Sequence, residues 1–463
     1  MTDLSLAGVA ETVRRTSAGE VSAGVLVDAA LDRIAALDPG LNAFSVVLAD
    51  EARAEAAARD EHLAAGGEAG PLHGVPIAIK EEIDVAGTVT TFGGEANVTP
   101  VAADAEIVRR LREAGAVVVG KTTMPEFGAF PYTESTSRGI TRNPWDRTRT
   151  PGGSSGGTAA AVASGMVPVG IGGDGGGSIR IPSACCGLFG LKPQRGRVTT
   201  APHPHLWWAL GTAGPLTSTV MDSALVYDVI RGNVDGDLYR AGGTDSFVEA
   251  AGREPGRLRI GWTTRAVTRG VRPDPVHVRA VEDTARLLGE LGHHVREVDP
   301  CYPDPTAAFV PQFFAGIRSE AEQVEHYDRL ERRTRETCRL GAWVTPRVRD
   351  FALRETERVS AKANRVFDSV DVLLTPAIAH RPPRVGRLDG VGTVRASLRA
   401  MPAIAYAALW NVAGNPAAAV PCGTGPDGLP VSVQLVGRTD DEATLFSLSA
   451  QIEQARPWPL TAP

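Results

Sequence analysis

The sequence has little aromatic content, 5% of 463 residues, and no apolar run that approaches the roughly 20 residues needed to span a bilayer. A membrane role is therefore not expected. Its opening, MTDLSLAGVAETVRR, lacks the basic start and apolar core of a secretory leader, which points to the cytoplasm. Cysteine is scarce: there are five, an odd number, with no C-x-x-C pair, and Cys185 and Cys186 are adjacent and poorly placed for a structural bridge. Reduced thiols fit that compartment. The net charge of −6, with interspersed signs, leaves no basic stripe for a phosphate backbone, so nucleic acid is not an expected partner. What remains is an ordinary globular composition, 43% hydrophobic and 22% charged, sufficient for one large core or two moderate ones.

Patterning divides the chain. Residues 1–65 read as helical, because Leu26, Ala30, Ile34 and Leu37 recur at helical spacing after the N-cap candidate Ser22, and an Ala-rich helix follows. Over residues 74–200, short apolar runs (VPIAIK, AVVVG, VPVGIG) alternate with helical patterns such as DAEIVRRLREAG. Residues 200–400 carry RIGW, a helix near 275–291, HVREV and a mainly helical stretch over 305–366. Residues 400–463 supply AAAVPC, VSVQLVG and a closing helix from Asp441. The alternation predicts an α/β fold, one large domain whose central mixed sheet is covered by helices on both faces and closed by late strands.

Glycine, 51 residues in all, is densest in PGGSSGGTAAAVASGMVPVGIGGDGGGSIRIPSACCGLFGLKP. Glycine lets backbone approach a ligand closely, and three serine-bearing turns, GGSSGG, GGGS and IPSA, set hydroxyls beside backbone N–H groups, the parts that acyl transfer needs. A serine nucleophile needs a base. None of the nine histidines stands in a distinctive context. A lysine serves instead if burial favours its neutral amine. Lys80, which ends the apolar run VPIAIK, fits that requirement, with Lys121 as second candidate.

The run over 151–193, with GGSSGG, then 24 residues from Ser154 to Ser178, then GGSIR and GLKP, resembles the amidase signature family. GVPIAIK, GAVVVGKTTMPEFG, TRNPWDRTRTPGGSSGG, GNPAAAVP and GLPVSVQLVG follow in family order. The resemblance implies a triad in which Ser178 attacks, Ser154, after a cis peptide from Gly153, relays the proton, and Lys80 receives it. It implies an oxyanion hole of the N–H groups of Gly175, Gly176, Gly177 and Ser178. Arg180 and Arg197 match positions read as loop braces, and Ser155 and Ser183 are expected to act as hydrogen-bonding supports. Gly173 and Gly175 stand where family members generally carry Thr, Ser or Ile, and Glu81 where Asp is common. The two glycines are expected to make room near the attacked carbonyl. Small aryl or alkyl amides, with esters and carbamates beside them, are the implied substrates; no cofactor or metal is implied, and a homodimer is compatible with the sequence.

Rival motifs are present. GAVVVGKT, over 115–122, spells a phosphate loop, but a helical run precedes it and its valines read as the strand itself. GIGGDG spells a dinucleotide turn without the acidic residue that holds a ribose. GGSSG also satisfies the α/β-hydrolase elbow, with His380 as conceivable base of an esterase. His203 and His205 lack the carboxylates of a metal site. A glutaminase subunit of an amidotransferase complex is the remaining alternative; those subunits usually carry Gln where Ile181 stands. Trp207, Trp208, Phe313, Phe314 and Trp410 are candidates for an apolar substrate pocket.

Overall fold

A computed structural model describes residues 8–243 and 245–463; residues 1–7 of the opening segment and Thr244 lie outside the described residues. Thirteen strands occur among the described residues: β1 (Phe44–Val47), β2 (Pro76–Lys80), β3 (Val117–Thr122), β4 (Glu134–Ser135), β5 (Gly139–Ile140), β6 (Val169–Gly173), β7 (Phe189–Lys192), β8 (Ala213–Thr217), β9 (Arg259–Trp262), β10 (His294–Glu297), β11 (Val372–Pro376), β12 (Ala417–Thr424) and β13 (Pro430–Val436). All but the small β4–β5 hairpin join one 11-stranded sheet, in the order β1-β3-β2-β6-β8-β7-β12-β13-β11-β9-β10. It is mixed: β2 pairs in parallel with both β3 and β6, whereas β12 is antiparallel to both β7 and β13. The late strands do close the early sheet, through Ala417 opposite Lys192.

Strand side chains alternate between the two faces, and the apolar clusters record it. Ile77, Ile79, Val118, Val169, Ile171, Leu374, Val433 and Leu435 join one cluster with the helices Val220–Ile230, Pro275–Glu290 and Glu442–Ala455. On the other face, Ala78, Val117 and Val119 pack with the helices Ala23–Leu41 and Gly156–Ala163. Leu373 and Val436 meet Thr306–Ala321 and Pro346–Ala363 there. Both faces are covered, and strands buried on both sides read as continuous apolar runs.

Ser22 caps its helix, accepting the Val25 N–H at 3.2 Å. The N-terminal part is not wholly helical, however. Phe44–Val47 forms an edge strand against β3, too short to show a period. The strands Phe189–Lys192 and Ala213–Thr217 were likewise illegible, because Gly and Pro interrupt FGLK and AGPLT and central pairing overrides their weak propensity.

Candidate active site

Strand β2 delivers Lys80 at its C-terminal end. Since Ile77 and Ile79 fill the first face, Ala78 and Lys80 turn to the other, and Lys80 is only 1% exposed. Its Nζ donates to Ser154 Oγ at 2.8 Å and to Glu82 Oε1 at 3.0 Å. A lysine so buried persists because it has such partners. Ser154 sits two residues before the helix Gly156–Ala163, and the Gly153–Ser154 peptide is cis. Gly128, at φ +64°, passes so close that a Cβ there would lie 3.0 Å from Ser154 Oγ. Ser155 is the support that was expected: its hydroxyl donates to the Gly173 carbonyl at 3.2 Å and accepts the Gly173 N–H at 3.3 Å, tying the helix start to the end of β6.

Beyond β6, the backbone turns through Asp174 to Gly177, whose φ of +122° is disfavoured for any side chain, and then presents the half-buried Ser178 before the helix Arg180–Cys186. Asp174 organises this loop. Its carboxylate accepts the N–H groups of Gly177 (2.7 Å) and Ile179 (3.2 Å) and both the Nε and an Nη of Arg180, each at 3.0 Å. Burial alone would raise the Asp174 carboxyl, but the Arg180 guanidinium and the Asn411 amide hold it well below the usual carboxylate range. Arg180 also reaches Gln434 Oε1 at 2.8 Å and Asn411 Oδ1 at 2.6 Å, so it braces the loop against two distant segments. Arg197 braces the chain after β7, through Glu442 at 2.8 and 3.1 Å.

Lys80, Ser154 and Ser178 line one narrow recess together with Glu82, Gly173, Gly175, Leu206 and Trp207. On its other side, Ser178 opens onto an apolar cavity of about 460 Å³ lined by Phe130, Ile181, Trp207, Phe309, Phe313, Phe314 and Met401, among others. Of the aromatic candidates, Trp207, Phe313 and Phe314 reach this cavity. Trp208 instead stacks on His205 at 4.2 Å, and Trp410 is core, packed on Tyr302 and Phe367.

Several expectations are corrected here. The Gly177 N–H is already committed to Asp174, whereas among the described residues no protein acceptor takes the N–H of Gly175, Gly176 or Ser178. Ser183 Oγ is buried against Gly190 without a hydrogen-bond partner among the described residues, so it is packing rather than support. Nor do the two glycines leave empty space. A Cβ at Gly173 would lie 2.1 Å from Glu82 Oε1, and one at Gly175 2.7 Å from the Trp207 ring. Glu81 serves neither serine; it accepts from Ser45 and from the Thr91 hydroxyl.

Lys121 hydrogen-bonds the Val89 carbonyl at 3.2 Å and Thr90 Oγ1 at 3.1 Å, and burial lowers its pKa. Lys192 is depressed to about 7, by burial and then by the Arg180 charge, yet its ammonium donates to the Pro193 carbonyl. Burial shifts both of these lysines, and contact with a serine distinguishes Lys80 from them. His380 is exposed and bonds the Arg272 carbonyl, not the GxSxG serine. Over 115–122, the valines form β3 and a short turn at Glu126–Gly128 follows, so no helix N-terminus stands where a phosphate would sit.

Sequence reasoning missed Asp174, Glu82 and Glu320. Glu320, on the helix Thr306–Ala321, accepts the Trp207 indole N–H at 3.3 Å; burial and the neighbouring Glu82 push its carboxyl up to about 8. Asp174 had a signal in its place between glycines four residues before Ser178. Glu320 had none, because its role depends on how a distant helix packs.

A sequence model of the Amidase family matches residues 25–446. AmiB2 of Mycobacterium tuberculosis is 49% identical over 460 residues, covering 99% of this chain and 98% of its own. Among solved structures, 6-aminohexanoate cyclic dimer hydrolase in complex with substrate superposes with a TM-score of 0.91 at 29% identity, over 99% of both chains. A bacterial aryl acylamidase of the amidase signature family superposes with a TM-score of 0.88 at 28% identity, over 98% of this chain and 96% of that one. With the signature run, the mixed sheet and these matches in agreement, the chain belongs to the Amidase family and is an amidase signature hydrolase that acts on amide bonds.

Proposed function

We propose that Ser178 is the nucleophile, Ser154 the proton relay and Lys80 the base of this amidase. The observation that carries the reading is the buried 2.8 Å contact between Lys80 Nζ and Ser154 Oγ, in a recess that Ser178 shares. In the proposed relay, Lys80 Nζ is the group that accepts the Ser154 proton. As Ser178 Oγ bonds to the carbonyl carbon, its proton passes to Ser154 and that of Ser154 to Lys80. The N–H groups of Gly175, Gly176 and Ser178 meet the developing oxyanion, and loss of one such donor typically costs about 10²–10³ in rate. The C–N bond then breaks with its electron pair on nitrogen, which takes the proton back through Ser154. Water cleaves the acyl-enzyme by the same relay.

The apolar cavity beside Ser178 suits aryl or alkyl groups without charge. Esters and carbamates present the same carbonyl and belong in the proposed range. Ile181, which lines that cavity, stands where a glutaminase subunit usually carries glutamine, and the apolar lining is unsuited to a glutamine side chain. The test is hydrolysis by purified protein of a panel of neutral amides, esters and carbamates, with Ser178→Ala as control. Turnover that Ser178→Ala abolishes supports the reading; turnover that survives the substitution, or consumption of glutamine alone, refutes it.

A further inference from the structure

The recess on the Ser154 side of the nucleophile is very small. The space open to the centre of a water-sized group is about 10 Å³, room for a single such group, against about 460 Å³ on the same measure for the apolar cavity on the other side. Two side chains make it small. The Glu82 carboxylate occupies the space over Gly173 and the Trp207 ring the space over Gly175, at the 2.1 and 2.7 Å that a Cβ on each glycine would meet. Glu82 Oε1 is held by Lys80 at 3.0 Å, while among the described residues no protein donor reaches Oε2. Trp207 is held in turn by Glu320 at 3.3 Å and by an edge contact with Phe313 at 5.4 Å between centroids.

We propose that this recess is the leaving-group subsite, that it admits an amide nitrogen carrying only hydrogens, and that Glu82 is its specificity-determining acceptor. The enzyme is then selective for primary carboxamides of bulky apolar acids and for carbamates with an unsubstituted NH₂ group, and within the proposed range esters and N-substituted carbamates are its poor substrates. The inference rests on the proposed triad, because the nitrogen that leaves must receive its proton from Ser154. Ser154 lines the recess, whereas Ser178 alone of the three lines the large cavity. The scissile nitrogen therefore faces the recess and the acyl group fills the cavity. One N–H of the substrate NH₂ group donates to the free Glu82 oxygen. As the C–N bond breaks, its electron pair stays on nitrogen, the proton arrives from Lys80 through Ser154, and ammonia leaves while the acyl group remains on Ser178. A single N-methyl group exceeds the space unless Glu82, Leu206 or Trp207 is displaced.

The test uses one acyl group and three leaving groups: phenylacetamide, N-methylphenylacetamide and phenylacetanilide. Wild-type kcat/KM is expected to be about 100-fold higher or more for the primary amide than for the N-methyl amide, the scale on which a pocket rejects one unaccommodated methyl group. Glu82→Gln keeps an acceptor oxygen and the bulk, so it preserves that ratio. Glu82→Ala removes both and drives the ratio toward unity, whereas loss of Lys80 positioning alone would slow all three substrates alike. Equal rates on primary and substituted amides, or an unchanged ratio in Glu82→Ala, overturn the proposal. Labelling of Ser178 by a fluorophosphonate separates the two readings: labelled enzyme without primary-amide preference defeats the subsite alone, and unlabelled, inactive enzyme defeats the triad with it.

Discussion

Asp174 and Arg180 meet at 3.0 Å with both side chains wholly shielded from solvent, and the same carboxylate fixes the Gly177 N–H two bonds from the backbone of Ser178's own peptide. The catalytic loop is thus held by an ion pair rather than by its glycines, which supply only close approach and positive φ. Removing one member leaves a buried charge without its partner, at a cost of about 3–5 kcal/mol. Arg180→Ala is accordingly expected to lower the melting temperature strongly and to depress kcat even in the folded fraction. A variant that melts and turns over like the wild type would show that the loop is held by something else.

Lys80 and Lys121, both buried near strand ends, should behave differently. Lys80→Met removes the amine that touches Ser154 and is expected to lower kcat by about 10²–10⁴-fold, the usual range for a general base. Lys121→Met breaks contacts to Val89 and Thr90 and should cost stability while leaving the kcat of folded enzyme near wild type. Steady-state kinetics on both variants, with melting curves beside them, separate the effects. The reverse pattern would move the base to Lys121.

Glu320 makes a prediction about stability against pH. Its carboxyl is raised from 4.5 to about 8, chiefly by burial, so the folded state holds its proton where the unfolded state has released it. That contribution is complete below about pH 4.5 and is lost as pH rises through 8. Glu320→Gln does not titrate. The melting temperature of the variant minus that of the wild type should therefore increase between pH 4.5 and 8 and level off above. Glu126 and Glu453, both pushed up to about 7 by burial, are common to the two proteins and cancel in the difference. A difference that stays flat across this range would place the Glu320 carboxylate in an ordinary solvated setting.

The parts of the site legible in the sequence were those encoded locally. VPIAIK announces a buried strand, and its last residue is Lys80; the serine turns GGSSGG and GGGS lie 24 residues apart within one motif. Strand period and glycine density carry such information because neighbours in sequence stay neighbours in space. What was not legible depends on contacts between segments distant along the chain. Glu82 fills the space above Gly173, Trp207 packs against a helix more than 100 residues later, and Arg180 joins Asp174 to Asn411 and Gln434. The same reason explains the misreading of Gly173 and Gly175 as room: a glycine shows the absence of its own side chain, not which other side chain has taken the space. Trp410 erred in the opposite sense, since an aromatic near a motif is as readily core as pocket.

The most direct test of the account compares the two serines by mass spectrometry after reaction with a serine-directed fluorophosphonate. Ser178→Ala should carry no adduct, because the atom that bonds to the probe is gone. Ser154→Ala should still be labelled on Ser178, at most more slowly, since the proposed oxyanion donors and the nucleophile remain, while amide turnover falls by several orders of magnitude for want of a proton relay. An adduct on Ser154 or Ser155, or wild-type labelling of Ser178→Ala, would contradict the assignment of Ser178 as the nucleophile.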